Sequence, residues 1–335
     1  MPTSSHGSRE KEFRAGMSDT THSLHHATRK RFDRVVTKLL AWHPVNKPQY
    51  AWRALRRTPY EVLVSEFMLQ QTGARQIEKK LPVFLKLFPT AKRLAQAPRS
   101  TVIRAWQGLG YNRRAINLQN AAQAIAARRT FPKTLEGLLA LPGVGEYTAS
   151  AVLAFAFNVD VPVVDVNVQR VLSRLWKPME DAHAKLPVRE IAELDRTILP
   201  PGTSANLHEA LMDLGSTVCT KQKPRCAECP VRGDCPSAKN LHGIRHQPKP
   251  KRNIEERFFG HPRRIWRGRI LKLISEAEGI TAMELDRVLR EDYPTILKNV
   301  LDTREFQELQ KAILVSLHAE GFIAIRNGRI TLTHE

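Results

Sequence analysis

The chain has 335 residues, with 53 Lys and Arg against 33 Asp and Glu, for a formal net charge of +20. That length allows two domains. So large a positive charge favours a polyanionic partner, and the absence of any run of about 20 apolar residues argues against a membrane span.

In chain order, residues 1–30 are polar and rich in His, Ser and Thr, with no apolar signal-peptide core, and read as a disordered tail. Residues 31–43 show helical apolar periodicity that ends near Pro44, and Trp52 to Tyr60 reads as a loop. From Glu61 to Arg174 the pattern is almost entirely helical, punctuated by Phe88-Pro89, Ala97-Pro98 and Phe131-Pro132. The apolar run Val152 to Phe157 could pass for a strand, but it continues the periodicity from Ala149 and is read as helix. Strand signals are scarce, so the fold class is mainly α.

Within this stretch, Leu141-Pro-Gly-Val-Gly-Glu-Tyr-Thr148 separates two helical segments. Gly143 and Gly145 let the backbone approach a ligand with no Cβ in the way, and the amides opening the second helix favour an anion. By itself such a turn reads better as an ordinary helical hairpin. All four cysteines fall in Cys219-x6-Cys226-x2-Cys229-x5-Cys235. Four thiolates at short unequal gaps suit an iron–sulfur cluster better than zinc, which usually needs a second knuckle pair, and better than disulfides.

Two carboxylates stand out. Glu66 lies among Val62, Leu63, Phe67, Met68 and Leu69 on a helix that opens near Pro59, and burial there would raise its pKa and suit it to general-acid work. Taken alone, it reads as a surface helix glutamate. Asp165 follows Val161-Pro-Val-Val164 and precedes a helix over Val166–Leu175, where it is expected as an N-cap held rigid by backbone amides.

The C-terminal part has a different composition. Residues 239–269 hold ten Lys or Arg against two Glu and read as a basic linker, bounded at 241–268. Helices follow near Ile270–Ala277, from Thr281-Ala-Met-Glu284 in a capping-box spelling, and over Arg304–Glu320. Asn327-Gly328 between alternating segments then signals a hairpin. Three helices and a hairpin predict a winged-helix-like module over 269–335. Winged helices bind DNA or proteins, so a protein partner for this module stays open.

Three motifs, Leu141–Thr148, Val163-Val-Asp165-Val-Asn167-Val-Gln-Arg170-Val171 and the cysteine loop, resemble the helix-hairpin-helix DNA glycosylase superfamily in its iron–sulfur branch. Val64-Ser-Glu66-Phe-Met-Leu-Gln70-Gln71-Thr72, Trp106-Gln-Gly-Leu-Gly-Tyr111 and Leu211-Met-Asp-Leu-Gly215 resemble its MutY-type adenine glycosylases. The resemblance spans about residues 34–240 and implies a two-lobed helical fold. One lobe is a six-helix barrel over about 59–175, and the other is a cluster lobe from 31–58 and 176–240. It further implies a [4Fe-4S] cluster on Cys219, Cys226, Cys229 and Cys235, and a partner that is double-stranded DNA containing a mismatch.

The resemblance also assigns residues. Glu66 becomes the proton donor to adenine N7, and Asp165 the group that stabilises the cationic sugar or adds to it. Asn167 hydrogen-bonds around these carboxylates. Gln70 and Gln71 fall at the DNA stack where the target base left. Tyr111 falls near the DNA, and Trp52 and Arg53 fall at the base pocket. Gly143 and Gly145 form the phosphate clamp, and Lys221, Lys223 and Arg225 reach backbone phosphates. In the endonuclease III type, which also nicks the strand, the position of Tyr147 holds a lysine that forms a Schiff base. Tyrosine there implies a monofunctional enzyme. The family usually carries a NUDIX-like reader of oxidised guanine where this chain has its basic linker and module.

Taken together, these readings give a monofunctional glycosylase removing adenine opposite guanine or 8-oxoguanine, acting as a monomer, with no membrane and a cytoplasmic, nucleoid-associated location of prokaryotic type. The rivals are a thymine or uracil mismatch glycosylase and a non-enzymatic iron–sulfur DNA-binding regulator. The Ser65-Glu66…Gln70-Gln71-Thr72 signature weighs against the first, and the matched pair Glu66 and Asp165 against the second.

Overall fold

The structure is a computed structural model that describes residues 19–53, 58–128, 130–179, 183–241, 257–292 and 303–334. Most of the expected tail and linker, residues 1–18 and 242–256, lies outside the described residues. The chain forms two compact units, residues 1–48 with 153–247 and residues 49–152 with 248–335. None of the described helices is long and apolar enough to cross a membrane.

The first unit opens with α1 (Asp19–Asn46). This helix begins well before the apolar periodicity at residue 31, because extending a helix from a packed nucleus costs far less than starting one. The unit continues with α9 (Val166–Trp176), α10 (Val188–Ile198) and α11 (Ser204–Thr217), then two 3-10 turns, Cys226–Glu228 and Arg232–Asp234, and α12 (Ala238–Leu241). Phe32, Val36 and Leu39 of α1, Leu172 of α9, Ile191 of α10 and Leu211 of α11 meet in one apolar core. Cys219, Cys229 and Cys235 pack on its edge, so the cysteine loop rests on this helical layer.

The second unit contains α2 (Pro59–Leu69), α3 (Ala74–Leu87), α4 (Ala91–Gln96), α5 (Arg99–Trp106), α6 (Arg113–Ala127) and α7 (Leu135–Leu139). The chain passes from this unit to the first within α8 (Glu146–Phe157). Val152 to Phe157 is therefore helical, as its periodicity indicates. Trp106 and Phe84 are fully buried and meet edge to face at 5.9 Å.

The second unit also holds the C-terminal residues. A short hairpin, β1 (Arg257–Phe258) and β2 (His261–Pro262), leads into α13 (Arg263–Glu276). This helix starts at Arg263 rather than Ile270, inside the span read as linker, because Trp266 is fully buried among otherwise basic neighbours. Then follow β3 (Ile280–Thr281), α14 (Ala282–Asp292), α15 (Thr303–Ala319), β4 (Ile323–Arg326) and β5 (Arg329–Leu332). The three-stranded sheet has order β3-β5-β4, with both pairings antiparallel. Asn327 and Gly328 both have positive φ at its turn, the two left-handed positions of a type I′ hairpin. The Thr281–Glu284 capping box forms as its spelling indicates, with Glu284 N donating to Thr281 Oγ1 (3.2 Å) and Thr281 N to Glu284 Oε2 (2.8 Å).

Candidate active site and nucleic-acid interface

Helix α2 is fixed at its start by a second capping box, in which Glu61 N donates to Thr58 Oγ1 (3.2 Å) and Thr58 N donates to Glu61 Oε2 (2.9 Å). Pro59 follows at the first turn, where its missing N–H costs nothing. From Tyr60 to Met68 nearly every residue of the helix is buried, so it is an interior helix rather than an amphipathic one. Glu66 shares that burial at 5% exposure, which removes the surface-helix reading of this residue.

Beyond α2 the chain turns sharply. Gln70 Nε2 donates to Thr148 Oγ1 (3.2 Å) on α8, tying the end of α2 to the glycine turn. Gln71 is exposed with φ 58°, a left-handed conformation that a glutamine adopts only at a cost. Tyr111 is likewise left-handed, at φ 46°, and 55% exposed. One buried guanidinium joins these two strained loops. Arg114 on α6 donates to the carbonyls of Phe67 (2.8 Å), Met68 (3.0 Å), Leu109 (3.2 Å) and Gly110 (3.0 Å), to that of Gln70, and to Thr72 Oγ1 (2.9 Å). Burial pulls its pKa down to about 10, opposed by Tyr111, and it remains charged at neutral pH. The sequence gives no sign of this, because an arginine satisfied by backbone carbonyls has no partner residue type to look for.

The glycine turn follows α7, whose Thr134 cap accepts from Gly137 N (3.1 Å). Gly143 has φ +74°, and a Cβ there would stand 2.6 Å from Asn117 Cβ, so both conformation and space demand glycine. Around Gly145 nothing lies within 4 Å of a Cβ position, which leaves the backbone approachable. Tyr147 is half-buried in the first turn of α8 beside exposed Glu146. Trp52 and Arg53 form their own aromatic group: Tyr50 stacks on Trp52 at 4.2 Å and Arg53 lies 5.1 Å over the Tyr50 ring.

In the first unit, Asp165 is the N-cap of α9. Its Oδ1 accepts from Asn167 N (2.8 Å) and Val168 N (2.7 Å), while Oδ2 accepts from Asn167 Nδ2 (2.8 Å). Asn167 Oδ1 in turn accepts from Arg170 Nη2 (2.8 Å). The same guanidinium donates to Gly215 O (2.6 Å) and Cys219 O (2.9 Å). Burial lowers the Arg170 pKa, and the Cys219 thiol opposes that shift. A continuous chain of hydrogen bonds thus runs from Asp165 through Asn167 and Arg170 to the first cysteine. The segment leading into Asp165 is also pinned, with Val163 N donating to His208 Nε2 (3.1 Å) and Ser204 Oγ to Val161 O (3.0 Å). His208 itself is fully buried against Asp195 at 2.6 Å.

All four cysteines line one small recess with Arg174, Val218, Pro224, Arg225 and Arg232. Arg174 Nη1 donates to Cys219 Sγ (3.2 Å) and Thr220 O (3.0 Å). Burial pushes the Cys229 thiol up to about 12 and Cys235 to about 11, and mutual repulsion among the cysteines adds to both shifts. Four thiols gathered around one recess fit the donor set of a cluster. Among the described residues no three His, Cys, Asp or Glu stand close enough to hold a single ion. Lys221 and Lys223 are exposed on this loop. Arg225 is also exposed, but it is paired with Glu228 (2.9 Å) and donates to Thr217 O (2.7 Å).

Residues 64–194 match the HhH-GPD superfamily of base excision DNA repair proteins. The chain is 39% identical over 253 residues to the adenine DNA glycosylase of Mycobacterium tuberculosis, an overlap covering 75% of this chain and 82% of that one. It is 42% identical over 197 residues to the adenine DNA glycosylase of Mycolicibacterium smegmatis, covering 58% and 66%. Among solved structures, a thermostable thymine-DNA glycosylase superposes with a TM-score of 0.59 at 27% identity, covering 64% of this chain and 99% of that one. The fold is thus that of a helix-hairpin-helix DNA glycosylase, and the chain belongs to the MutY-type adenine DNA glycosylase family of that superfamily.

Proposed function

We propose that this protein is a monofunctional adenine DNA glycosylase of base excision repair, acting on adenine opposite guanine or 8-oxoguanine. The observation that carries the reading is the carboxyl group of Glu66, buried in an interior helix whose end bears the strained Gln70–Gln71 turn. A base inside a duplex is out of reach, so the nucleotide must first leave the stack. Glu66 then gives its proton to adenine N7. The C1′–N9 bond breaks with its electrons going to the departing base, and water adds to C1′ while its proton returns to the Glu66 carboxylate. Asp165, oriented by Asn167 and two amides, offsets the positive charge that develops on the sugar. Asn167 acts on Asp165 and not on the reacting atoms. Gln70, Gln71 and Tyr111 face the helix stack, and Trp52 and Arg53 contribute to base recognition. Gly143 and Gly145 hold backbone phosphate, as do Lys221 and Lys223.

Cys219, Cys226, Cys229 and Cys235 would hold a [4Fe-4S] cluster, whose contribution when bound is to order the loop around them. Purified protein is expected to carry about four irons per chain with broad visible absorbance. Stoichiometric zinc after anaerobic purification would overturn this assignment. The same reading makes the partner a mismatched duplex bound by a monomer, and the location nucleoid-associated.

The test of the acid is Glu66→Gln, which keeps size and hydrogen bonding but removes the proton. Mismatch binding is expected to persist while single-turnover excision falls by on the order of 10²–10⁴. A variant rate near wild type would remove Glu66 from the chemistry.

A further inference from the structure

The C-terminal residues do not hang from the glycosylase core on a tether. Ile103 of α5 and Ile116 of α6 belong to the same apolar cluster as Trp266, Ile270, Phe306 and Phe322. Polar contacts surround that shared core. Arg104 Nε donates to Ser275 O (2.9 Å) and Gln107 Nε2 to Ser275 Oγ (3.4 Å) at the end of α13. Ser100 Oγ meets His334 Nδ1 at 3.2 Å, and Arg113 Nη1 donates to Glu320 O (3.4 Å) after α15. The Glu320 side chain is itself held by Arg267 (2.8 Å) and Ser316 Oγ (2.8 Å), so its carbonyl is presented from a fixed position.

The pattern of contacts has a direction. Ser100, Ile103, Arg104 and Gln107 are spaced as one face of α5, and Arg113 and Ile116 begin α6. Between these two sets lies only the loop 108–112, with Gly108, Gly110 and Tyr111 all at positive φ. The module therefore grips both ends of the strained loop that presents Tyr111, while Arg114 grips its middle. Along α15, exposed Arg304 and Lys311 are matched by exposed Glu305 and Glu308, whereas α13 exposes Arg263, Arg264 and Lys272 against the one acid Glu276.

We propose that residues 257–334 are a positioning device for the Tyr111 loop, holding it in its left-handed conformation so that the duplex meets a preformed contact. Strain at a binding loop persists only where surrounding structure over-determines it, and here the module supplies that surrounding structure. This rests on the reading of Tyr111 as a DNA contact.

The experiment uses the full chain with Arg104→Met, which keeps the stem packed but removes the donor to Ser275, beside Arg104→Lys and Tyr111→Ala. Hydrogen exchange at amides 108–112 is expected to speed up about tenfold in Arg104→Met, with partial recovery in Arg104→Lys. Exchange in α2 and α13 should stay as in wild type. Mismatch-duplex binding should weaken by about tenfold, with the single-turnover rate at saturating enzyme within about twofold. Unchanged exchange in the loop, or exchange raised equally throughout the unit, would overturn the proposal. If the loop loosens as expected but neither Arg104→Met nor Tyr111→Ala weakens binding, the device stands and the reading of Tyr111 as a DNA contact fails instead.

Discussion

At the scale of single residues, the two carboxylates are held in opposite ways. Glu66 is buried on an interior helix, whereas Asp165 at a helix N-cap accepts from two backbone amides and the Asn167 side chain. Asp165 depends in turn on a close helix contact. A Cβ at Gly215 of α11 would lie 2.6 Å from Asn167 Cβ and 3.2 Å from Asn167 Cα, so it meets backbone as well as side chain. Gly215→Ala is therefore expected to shift α9 at Asn167 and break its hydrogen bond to Asp165. The cost should be about 1–3 kcal/mol of stability from overpacking. Excision should also fall beyond what the lost stability explains. Thermal unfolding together with single-turnover rates would check this, and an alanine variant matching wild type in both would show that α9 and α11 can move apart freely.

At the scale of elements, much was readable because local rules and tertiary packing agree. The Thr281–Glu284 capping box, the Asp165 cap and the Asn327-Gly328 hairpin are specified within four residues of sequence, and each forms. The burial of Glu66 was legible only as an expectation from its apolar neighbours. Three features were not legible. Arg114 and Arg170 work by donating to carbonyls brought together by the fold, and no pairwise pattern marks such partners. The face of α5 that meets the module mixes Ile103 with Arg104, Gln107 and Ser100, so it looks like a solvent face until its partner is in place. The helix-hairpin-helix itself carries a chemical prediction through Tyr147, which sits in the first turn of α8 where a lyase would need an amine. Borohydride is expected to trap almost no covalent complex with a mismatched duplex, and strand nicking should await added base. Tyr147→Lys should gain trapping. Efficient trapping by the wild-type protein would mean that another lysine reaches the sugar.

At the scale of the whole molecule, a charge of +20 acts on DNA from every side, yet only charges able to meet phosphate contribute to its salt dependence. The cysteine loop allows that distinction to be drawn within one short segment. Lys221 and Lys223 are exposed, while Arg225 is engaged by Glu228 and by the Thr217 carbonyl. An arginine already paired must give up those bonds before it can bind phosphate, so its net contribution to affinity is small. Replacing Lys221 and Lys223 together by Gln is expected to weaken binding to matched and mismatched duplexes alike. The slope of log K against log salt should fall by about two, close to 0.9 for each phosphate that is no longer neutralised. Single-turnover excision at saturating enzyme should be unchanged, since neither lysine takes part in bond breaking. Arg225→Gln should leave the slope nearly as it is and lower thermal stability instead, through the freed Thr217 carbonyl and the unpaired Glu228. Fluorescence titrations across a salt series would separate the two cases. Equal slopes for the double lysine variant and the wild type would place the phosphate-binding groups elsewhere on the chain.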